Sequence, residues 1–425
     1  MNSLEDRVRA ATRAQAQTLR EVGPLRLSPA PARRAIRRRR WRGWLAPTTA
    51  AALVIAIAVA LVVVRDIPNG RAIPQGTAAS SVPPYYAAID SQPGTSPSTS
   101  RLVIGDTLTG ARLATIAPPR GRWFAGVTGA SDDRTFVVST RLDAGNGSTT
   151  LAVTWYLLRI APGGTPAYRL TRLAIPDMGS WGVQTIALSG SGRQLAMTVF
   201  PPKQEPGRQD WGLRIYSVAT GKLLRAWSAN DWTYLSLVTL SWVDGDRAVA
   251  FPTFEVPKGT AASTIRESER LIEVTAPGGD LLAHSRVIWS TQTTAGAYAP
   301  ARCLGGARVT ADGKTVVCVT GPVGSTTPGN GQVTLEWLTY LTSAPTVPRV
   351  LYKVTVDAPS SDTDVSGVLW SDPSGSTFII EWAVARSITA STVHFGVVSH
   401  GQFRPLPSLP VSVPADLSYG LTVAW

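Results

Sequence analysis

The 425-residue sequence has few of the side chains that carry most metal and redox chemistry. It contains two cysteines and three histidines, His284, His394 and His400, which do not form a ligand cluster. This excludes a disulfide framework and leaves no recognisable zinc-ligand spacing. The sequence also lacks the HExxH, GxSxG and GxGxxG motifs of metalloproteases, hydrolase nucleophile turns and dinucleotide sites. We therefore predict a non-enzymatic chain with no cofactor, no metal and no catalytic residue.

Positive charge is concentrated at the N-terminus. The chain has 41 Lys+Arg against 28 Asp+Glu, a net charge of +13. Residues 1–43 contain 12 Arg and three acidic residues, so +9 of this charge lies in about a tenth of the chain and only +4 in the rest. A protein that binds nucleic acid over its whole surface is excluded by this distribution, and we predict no nucleic-acid partner.

Residues 45–64, LAPTTAAALVIAIAVALVVV, are an uncharged run of twenty residues. As a helix, such a run spans the hydrocarbon core of about 30 Å. Basic and aromatic residues precede it, namely Arg37, Arg38, Arg39, Arg40, Trp41, Arg42 and Trp44. Because positive flanks stay in the cytoplasm, we predict a single transmembrane helix with the N-terminus inside and this flank at the lipid head groups. A cleaved signal peptide is the alternative.

Residues 1–44 are then a basic cytoplasmic tail. Residues 3–22 contain neither Gly nor Pro and are followed by the helix-terminating pair Gly23-Pro24. An apolar stripe at helical spacing is formed by Leu4, Val8, Leu19 and Val22. A lone helix of this length is marginally stable in water, so we expect the stripe to bind a cytoplasmic regulatory protein, the membrane surface or a second copy. A partly ordered tail without a partner is the alternative.

Residues 65–83 are rich in Pro, Gly, Ala and Ser, which predicts a linker, and residues 84–425 have an all-β pattern. In the latter, one turn type precedes an apolar strand at Asp133-Arg134, Gly192-Arg193, Asp246-Arg247, Gly313-Lys314 and Gly375-Ser376. A second type, which joins a strand to a following outer strand, occurs at Gly110, Gly164, Gly221, Gly279 and Gly401, with Ser343-Ala344 in the remaining position. Six units of about 57–60 residues, each with four short strands, are typical of a β-propeller.

The two ends of the repeat region are complementary. The first unit lacks an innermost strand, whereas the segment Tyr419–Trp425 is an apolar strand without a unit of its own. Pairing the two would leave no strand edge open. We therefore predict an all-β fold, a six-bladed β-propeller closed by the C-terminal strand and preceded by the transmembrane helix and the short cytoplasmic helix.

The turn sequences resemble those of known propellers. SGSGRQLA and VTADGKTVV, and likewise TLTGARL and VATGKLL, resemble turns of WD-repeat-like and TolB-like blades. The basic flank, single span and propeller together resemble actinobacterial single-pass membrane proteins, as does the excess of Arg over Lys, 36 to 5. The resemblance implies a cell-membrane location with the propeller outside the cytoplasm, and it makes an extracytoplasmic-function sigma factor a candidate partner.

Cys303 and Cys318 flank the turn of unit five. In a regular tight hairpin Cys318 faces residue 307, four residues from Cys303, so a disulfide requires Cys303 to fold back over the strand. Because the predicted topology places both residues outside the cytoplasm, we predict that this disulfide forms. Two free thiols are the alternative.

These features together predict a function. We expect a non-enzymatic, membrane-anchored propeller that binds an extracytoplasmic protein or peptide ligand and signals through its tail. A static binding or scaffold module of the cell envelope is the alternative, and a propeller hydrolase or lyase is a third reading.

Overall fold

The structure is a computed structural model. It describes residues 82–90, 100–142, 153–161, 168–177, 182–200, 211–229, 234–235, 239–255, 264–294, 303–320, 332–357, 366–387, 390–407, 409 and 422–425. The predicted tail helix, the predicted transmembrane helix and the predicted linker up to residue 81 lie outside the described residues. Within the described ranges, no helix has the length and apolar character needed to cross a membrane.

The described residues form six sheets, one for each predicted blade. Blade one contains β1 (Tyr85–Asp90), β2 (Arg101–Asp106) and β3 (Arg112–Ile116). Blade two contains β4 (Arg122–Gly129), β5 (Thr135–Leu142), β6 (Val153–Ile160) and β7 (Tyr168–Arg172). Blade three contains β8 (Gly182–Leu188), β9 (Gln194–Phe200), β10 (Trp211–Ser217) and β11 (Leu223–Ala229).

The second half of the ring repeats this order. Blade four contains β12 (Tyr234–Leu235), β13 (Ser241–Val243), β14 (Ala248–Glu255), β15 (Thr264–Glu273) and, as its outer strand, β17 (Arg286–Thr294). Between β15 and β17 the chain forms β16 (Gly279–Asp280), which pairs with the sheet of blade three, and then the helix α1 (Leu281–His284). Blade five contains β18 (Leu304–Val309), β19 (Thr315–Thr320), β20 (Gln332–Leu341) and β21 (Ala344–Asp357). Blade six contains β22 (Ser366–Ser371), β23 (Thr377–Ser387), β24 (Ala390–Ser399) and β25 (Gln402–Pro405), and β26 (Val423–Ala424) returns to blade one.

The predicted closure of the ring by the C-terminal strand is confirmed. Strand β26 pairs antiparallel with β1, with Ala87 opposite Ala424 and Ala88 opposite Val423. Trp425 then lies buried, and its indole N–H donates to the Thr107 hydroxyl at 3.1 Å. Blade one therefore combines strands from both ends of the propeller, and its inner edge is paired rather than exposed.

The blades stand side by side, and this explains how burial changes along each sheet. All seven residues of β8, an inner strand, are buried, whereas most residues of β11, near the rim of the same blade, are exposed or half-buried. A strand between two neighbouring blades is covered on both faces and therefore has a continuous apolar sequence. Each gap between neighbouring blades contains one apolar cluster.

The first type of predicted turn is found before β5, β9, β14, β19 and β23. Positive φ angles occur in these turns, for example 57° at Asp133 and 69° at Gly192. The turns of neighbouring blades are joined by hydrogen bonds: Ser131 N–H and Oγ donate to the Gly190 carbonyl, and the Asp246 carboxylate accepts from Gly190 N–H at 2.7 Å. These contacts fix the blades relative to one another at this end of the ring.

One predicted strand is wrong. The segment after Gly279 was expected to form an outer strand, but residues Leu281–His284 form α1. The Asp280 carboxylate caps this helix by accepting from the N–H groups of Leu282 and Ala283 at 2.8 and 3.1 Å. The outer strand of blade four begins later, at Arg286, and an N-cap aspartate explains why the chain turns into a helix first.

Candidate functional site

The interface between blades four and five contains two buried carboxylates on one strand. In β15, Glu267, Glu269 and Leu271 alternate with residues of the opposite face, and Leu271 belongs to the apolar cluster between these two blades. Glu267 is 3% exposed and Glu269 is 1% exposed. Buried carboxylates are rare unless a protein has a use for them, because removing a charge from water is costly.

Aromatic and apolar side chains surround the pair. Glu269 lies opposite Pro252 of β14 on one side and opposite Trp289 of β17 on the other. Trp289 is buried, and its ring centroid lies 5.3 Å from that of Tyr340 of blade five. Within the described residues, neither Glu269 Oε2 nor Trp289 Nε1 has a hydrogen-bond partner. A carboxyl oxygen and an indole N–H are therefore both buried without a hydrogen bond to offset the burial.

The surroundings of the pair raise the pKa of Glu269. Burial raises the pKa of Glu269 well above its ordinary value, and the negative charge of Glu267 raises it further. Burial likewise raises the pKa of the Tyr340 hydroxyl, with a smaller contribution from Glu267. Glu267 thus raises the pKa of both neighbours, and Glu269 keeps its proton to a higher pH than an ordinary glutamate. A buried carboxyl group with a raised pKa beside a second carboxyl group is a common feature of proton-transfer sites.

A disulfide lies in the same interface. The structure pairs Cys303 with Cys318, with their Cα atoms 5.0 Å apart. A register shift between Leu304 and Arg308, where β18 pairs with β19, removes the mismatch expected for a regular hairpin. Both cysteines belong to the apolar cluster that contains Trp289, so the bridge holds the inner strands of blade five beside the carboxylate pair.

Two further charged groups are half-buried in blades five and six. The Arg308 guanidinium reaches from blade five to blade six, where Nη1 donates to the carbonyls of Val368, at 3.3 Å, and Leu369. Burial lowers the pKa of Arg308 to about 10, and it raises the pKa of Glu381, on β23, to about 7. Arg308 has backbone partners that account for its position, and its contacts are those of a structural tie.

A metal site is not evident in the described ranges, where no group of three or more His, Cys, Asp and Glu side chains comes together. Glu267 and Glu269 supply carboxylates alone, which is fewer ligands than a structural or catalytic zinc ion takes. The chemistry that the pair supports by itself is proton transfer.

The residues predicted to bind partners and lipid, Leu4, Val8, Leu19 and Val22 and Arg37 to Trp44, lie outside the described residues. The carboxylate pair was missed because no motif marks it. The signal that was present is the alternation in TIRESERLIE, where acidic residues occupy the positions of β15 that continue the buried face of Leu271.

Comparison with known proteins gives similarity of fold only. No family model matches the chain, and no curated protein matches it. Among solved structures, the tricorn protease is similar with a TM-score of 0.42 at 9% identity, over 76% of this chain and 29% of that one. Prolyl oligopeptidase B from Galerina marginata gives a TM-score of 0.35 at 10% identity, over 65% and 37% of the two chains. The periplasmic gluconolactonase of Pseudomonas aeruginosa gives 0.38 at 14% identity, over 78% and 98%.

These comparisons overturn one prediction. The sequence was expected to encode a non-enzymatic binding protein, and that prediction is wrong, because the similar chains named above are propeller-containing enzymes. The chain spans only about a third of the length of the two peptidases.

Proposed function

We propose that this chain is a propeller hydrolase in which Glu267 and Glu269 are the general base and the general acid. The observation that carries the proposal is the burial of both carboxyl groups on one face of β15, with the pKa of Glu269 raised well above that of an ordinary glutamate. A buried carboxyl with a raised pKa can serve as the general acid while a second carboxyl beside it serves as the general base.

The reaction proposed is the hydrolysis of an ester, lactone or amide bond. Glu267 accepts a proton from water as the water oxygen adds to the carbonyl carbon. Glu269 donates its proton to the departing oxygen or nitrogen as the carbonyl–heteroatom bond breaks. One water molecule is consumed. The proton that Glu267 took from water then passes to Glu269, which restores the starting state of both carboxyl groups.

The surroundings of the pair support this chemistry in two ways. The apolar cluster around Trp289 excludes water, which strengthens charge interactions with a polarised carbonyl. The unpaired indole N–H of Trp289 is a hydrogen-bond donor for the carbonyl oxygen. Because both carboxyl groups are buried, the proposal requires the interface between blades four and five to open when substrate enters.

The experiment is a hydrolysis assay of the full chain against chromogenic esters, lactones and peptide amides. We expect Glu269→Gln and Glu267→Gln each to reduce kcat by at least about 100-fold, the usual contribution of a general acid or base. Glu273→Gln is the matched control, because Glu273 lies on the same strand and is exposed. Hydrolysis that all three variants catalyse as fast as the native chain would rule out this assignment.

We also propose that residues 45–64 anchor the chain in a membrane, with the propeller outside the cytoplasm. The support is the uncharged run of twenty residues and the arginine-rich flank that precedes it. Protease added to intact cells should cleave a C-terminal tag and spare an N-terminal tag, whereas protection of both tags would contradict this topology. Binding of a regulatory protein by the tail helix stays a prediction.

A further inference from the structure

A cleft lies between blades two and three, whereas the carboxylate pair lies between blades four and five. Its volume is about 380 Å³, and it is lined by the turn before β5, the end of β6 and the turn before β9. Cavities that hold small organic ligands have volumes of roughly 300–1,000 Å³. The cleft therefore has room for a small organic molecule.

Three arginines line this cleft: Arg134, Arg159 and Arg193. In the part of the chain that the structure describes, none of the three forms an ion pair. Arg134 Nη1 is buried and, among the described residues, has no hydrogen-bond partner. The guanidinium carbon of Arg134 lies 5.4 Å from the centroid of the Tyr85 ring, and this contact orients the group. A fixed guanidinium with a free N–H is suited to bind an anion.

The one carboxylate in the lining is already occupied. Asp132 Oδ1 accepts from the N–H groups of Arg134 and Thr135 at 3.0 and 2.8 Å, and Oδ2 accepts from the Thr135 hydroxyl at 2.6 Å. The neighbouring Asp133 does not line the cleft. Three guanidinium groups against one carboxylate leave a charge of +2 in the lining.

The cleft is built before any ligand arrives. Gly192 has φ of 69°, and the turn that contains it is held by the Asp246 carboxylate, which accepts from the N–H groups of Gly190 and Ser191 at 2.7 and 2.9 Å. The Ser131 hydroxyl donates to the Gly190 carbonyl at 2.8 Å and so ties the two turns together. A ligand that binds between such turns loses little free energy to ordering the protein.

We propose that this cleft is a binding site for a small organic phosphate. A phosphate monoester carries a charge near −2 at neutral pH and three acceptor oxygens, which matches the charge of the lining and its three guanidinium groups. The cavity is larger than a phosphate ion, so the organic part of the ligand fills the remaining volume. The proposal is independent of the hydrolase assignment, because none of the residues that line the cleft lies in blade four or five.

The test is calorimetric titration of the full chain with glycerol 3-phosphate, inorganic phosphate and malonate at constant ionic strength. The variant to compare is the double substitution Arg159→Gln and Arg193→Gln, since both side chains are exposed and their loss leaves the fold intact. Arg247→Gln is the matched control. Arg247 occupies the corresponding turn position in blade four, but its Nη1 lies 3.6 Å from the Asp244 carboxylate and it does not line the cleft.

We expect glycerol 3-phosphate to bind the native chain, the double variant to weaken binding by at least about tenfold, and Arg247→Gln to leave it unchanged. Absence of binding at millimolar concentration, or equal binding by the double variant, would overturn the proposal. Tighter binding of malonate than of either phosphate would overturn the assignment to phosphate.

Discussion

Replacing Asp133 with asparagine should stabilise the propeller at pH 8 and have little effect at pH 4. Asp133 lies in the turn before β5 with φ of 57°, a conformation that asparagine adopts as readily as aspartate. Burial raises its pKa from 3.8 to about 7; the charge of Asp132 adds to the increase and that of Arg134 opposes it. In the described structure, Asp133 Oδ1 has no hydrogen-bond partner to offset the burial.

The sign and size of this effect follow from linkage between protonation and folding. Because the folded pKa is higher than the unfolded value, the unfolded chain releases this proton first as the pH rises. Stability is therefore lost between about pH 4 and pH 7, and the full loss is present above pH 7. The shift corresponds to about 4 kcal/mol, and since the side chain is partly exposed we expect roughly half, about 2 kcal/mol.

The assay is urea unfolding of the full chain, followed by tryptophan fluorescence at pH 4 and pH 8. Asp372→Asn is the control, because the Asp372 carboxylate in the corresponding turn of blade six accepts from the N–H groups of Ser376 and Thr377, so its change should destabilise the protein. A gain for Asp133→Asn of the same size at both pH values would refute the reasoning, because it would show that charge burial is not the cause.

Further substitutions test three of the contacts that hold the ring together. Arg308→Met should lower the free energy of unfolding in urea by about 2 kcal/mol, and Arg308→Lys should not restore it, because two blade-six carbonyls lose their shared donor. Trp425→Ala should cost roughly 3–5 kcal/mol in the same assay, since it empties a buried site at the closing strand. Cys303→Ala combined with Cys318→Ala should cost about 3 kcal/mol for a separation of 15 residues, and mass mapping without reductant should find the bridge in the native chain. Unchanged urea midpoints would contradict each of these.

The repeat of turns predicted the blade architecture well. The five turns from Asp133 to Gly375 each precede the second strand of a blade, and this spacing was sufficient because a propeller blade has four strands whose turns follow in fixed order. Closure by the C-terminal strand was also predictable. Blade one has an unpaired inner edge and the last strand has no blade of its own, so pairing the two satisfies both.

Local structure was less predictable where one side chain decided the outcome. At Asp280 a capping carboxylate converts an apolar strand pattern into a helix. At Cys303 a register shift in the strand pairing brings two cysteines together that a regular hairpin keeps apart.

The candidate site was not predictable from motifs, because Glu267 and Glu269 acquire their properties from Trp289 and Tyr340, which lie on other strands. Burial is a property of the packed blades, and the raised pKa of Glu269 depends on that burial. The alternation of β15 gives the face on which each residue lies, but only the position of blade five shows that this face is covered.

The most direct test of the hydrolase assignment is the pH dependence of kcat/KM for the best substrate found. We expect activity to fall at high pH as Glu269 loses its proton. Glu269→Gln should abolish the high-pH limb together with most of the activity, while Glu273→Gln should keep the native profile. A native rate and an unchanged profile in Glu269→Gln would contradict the account.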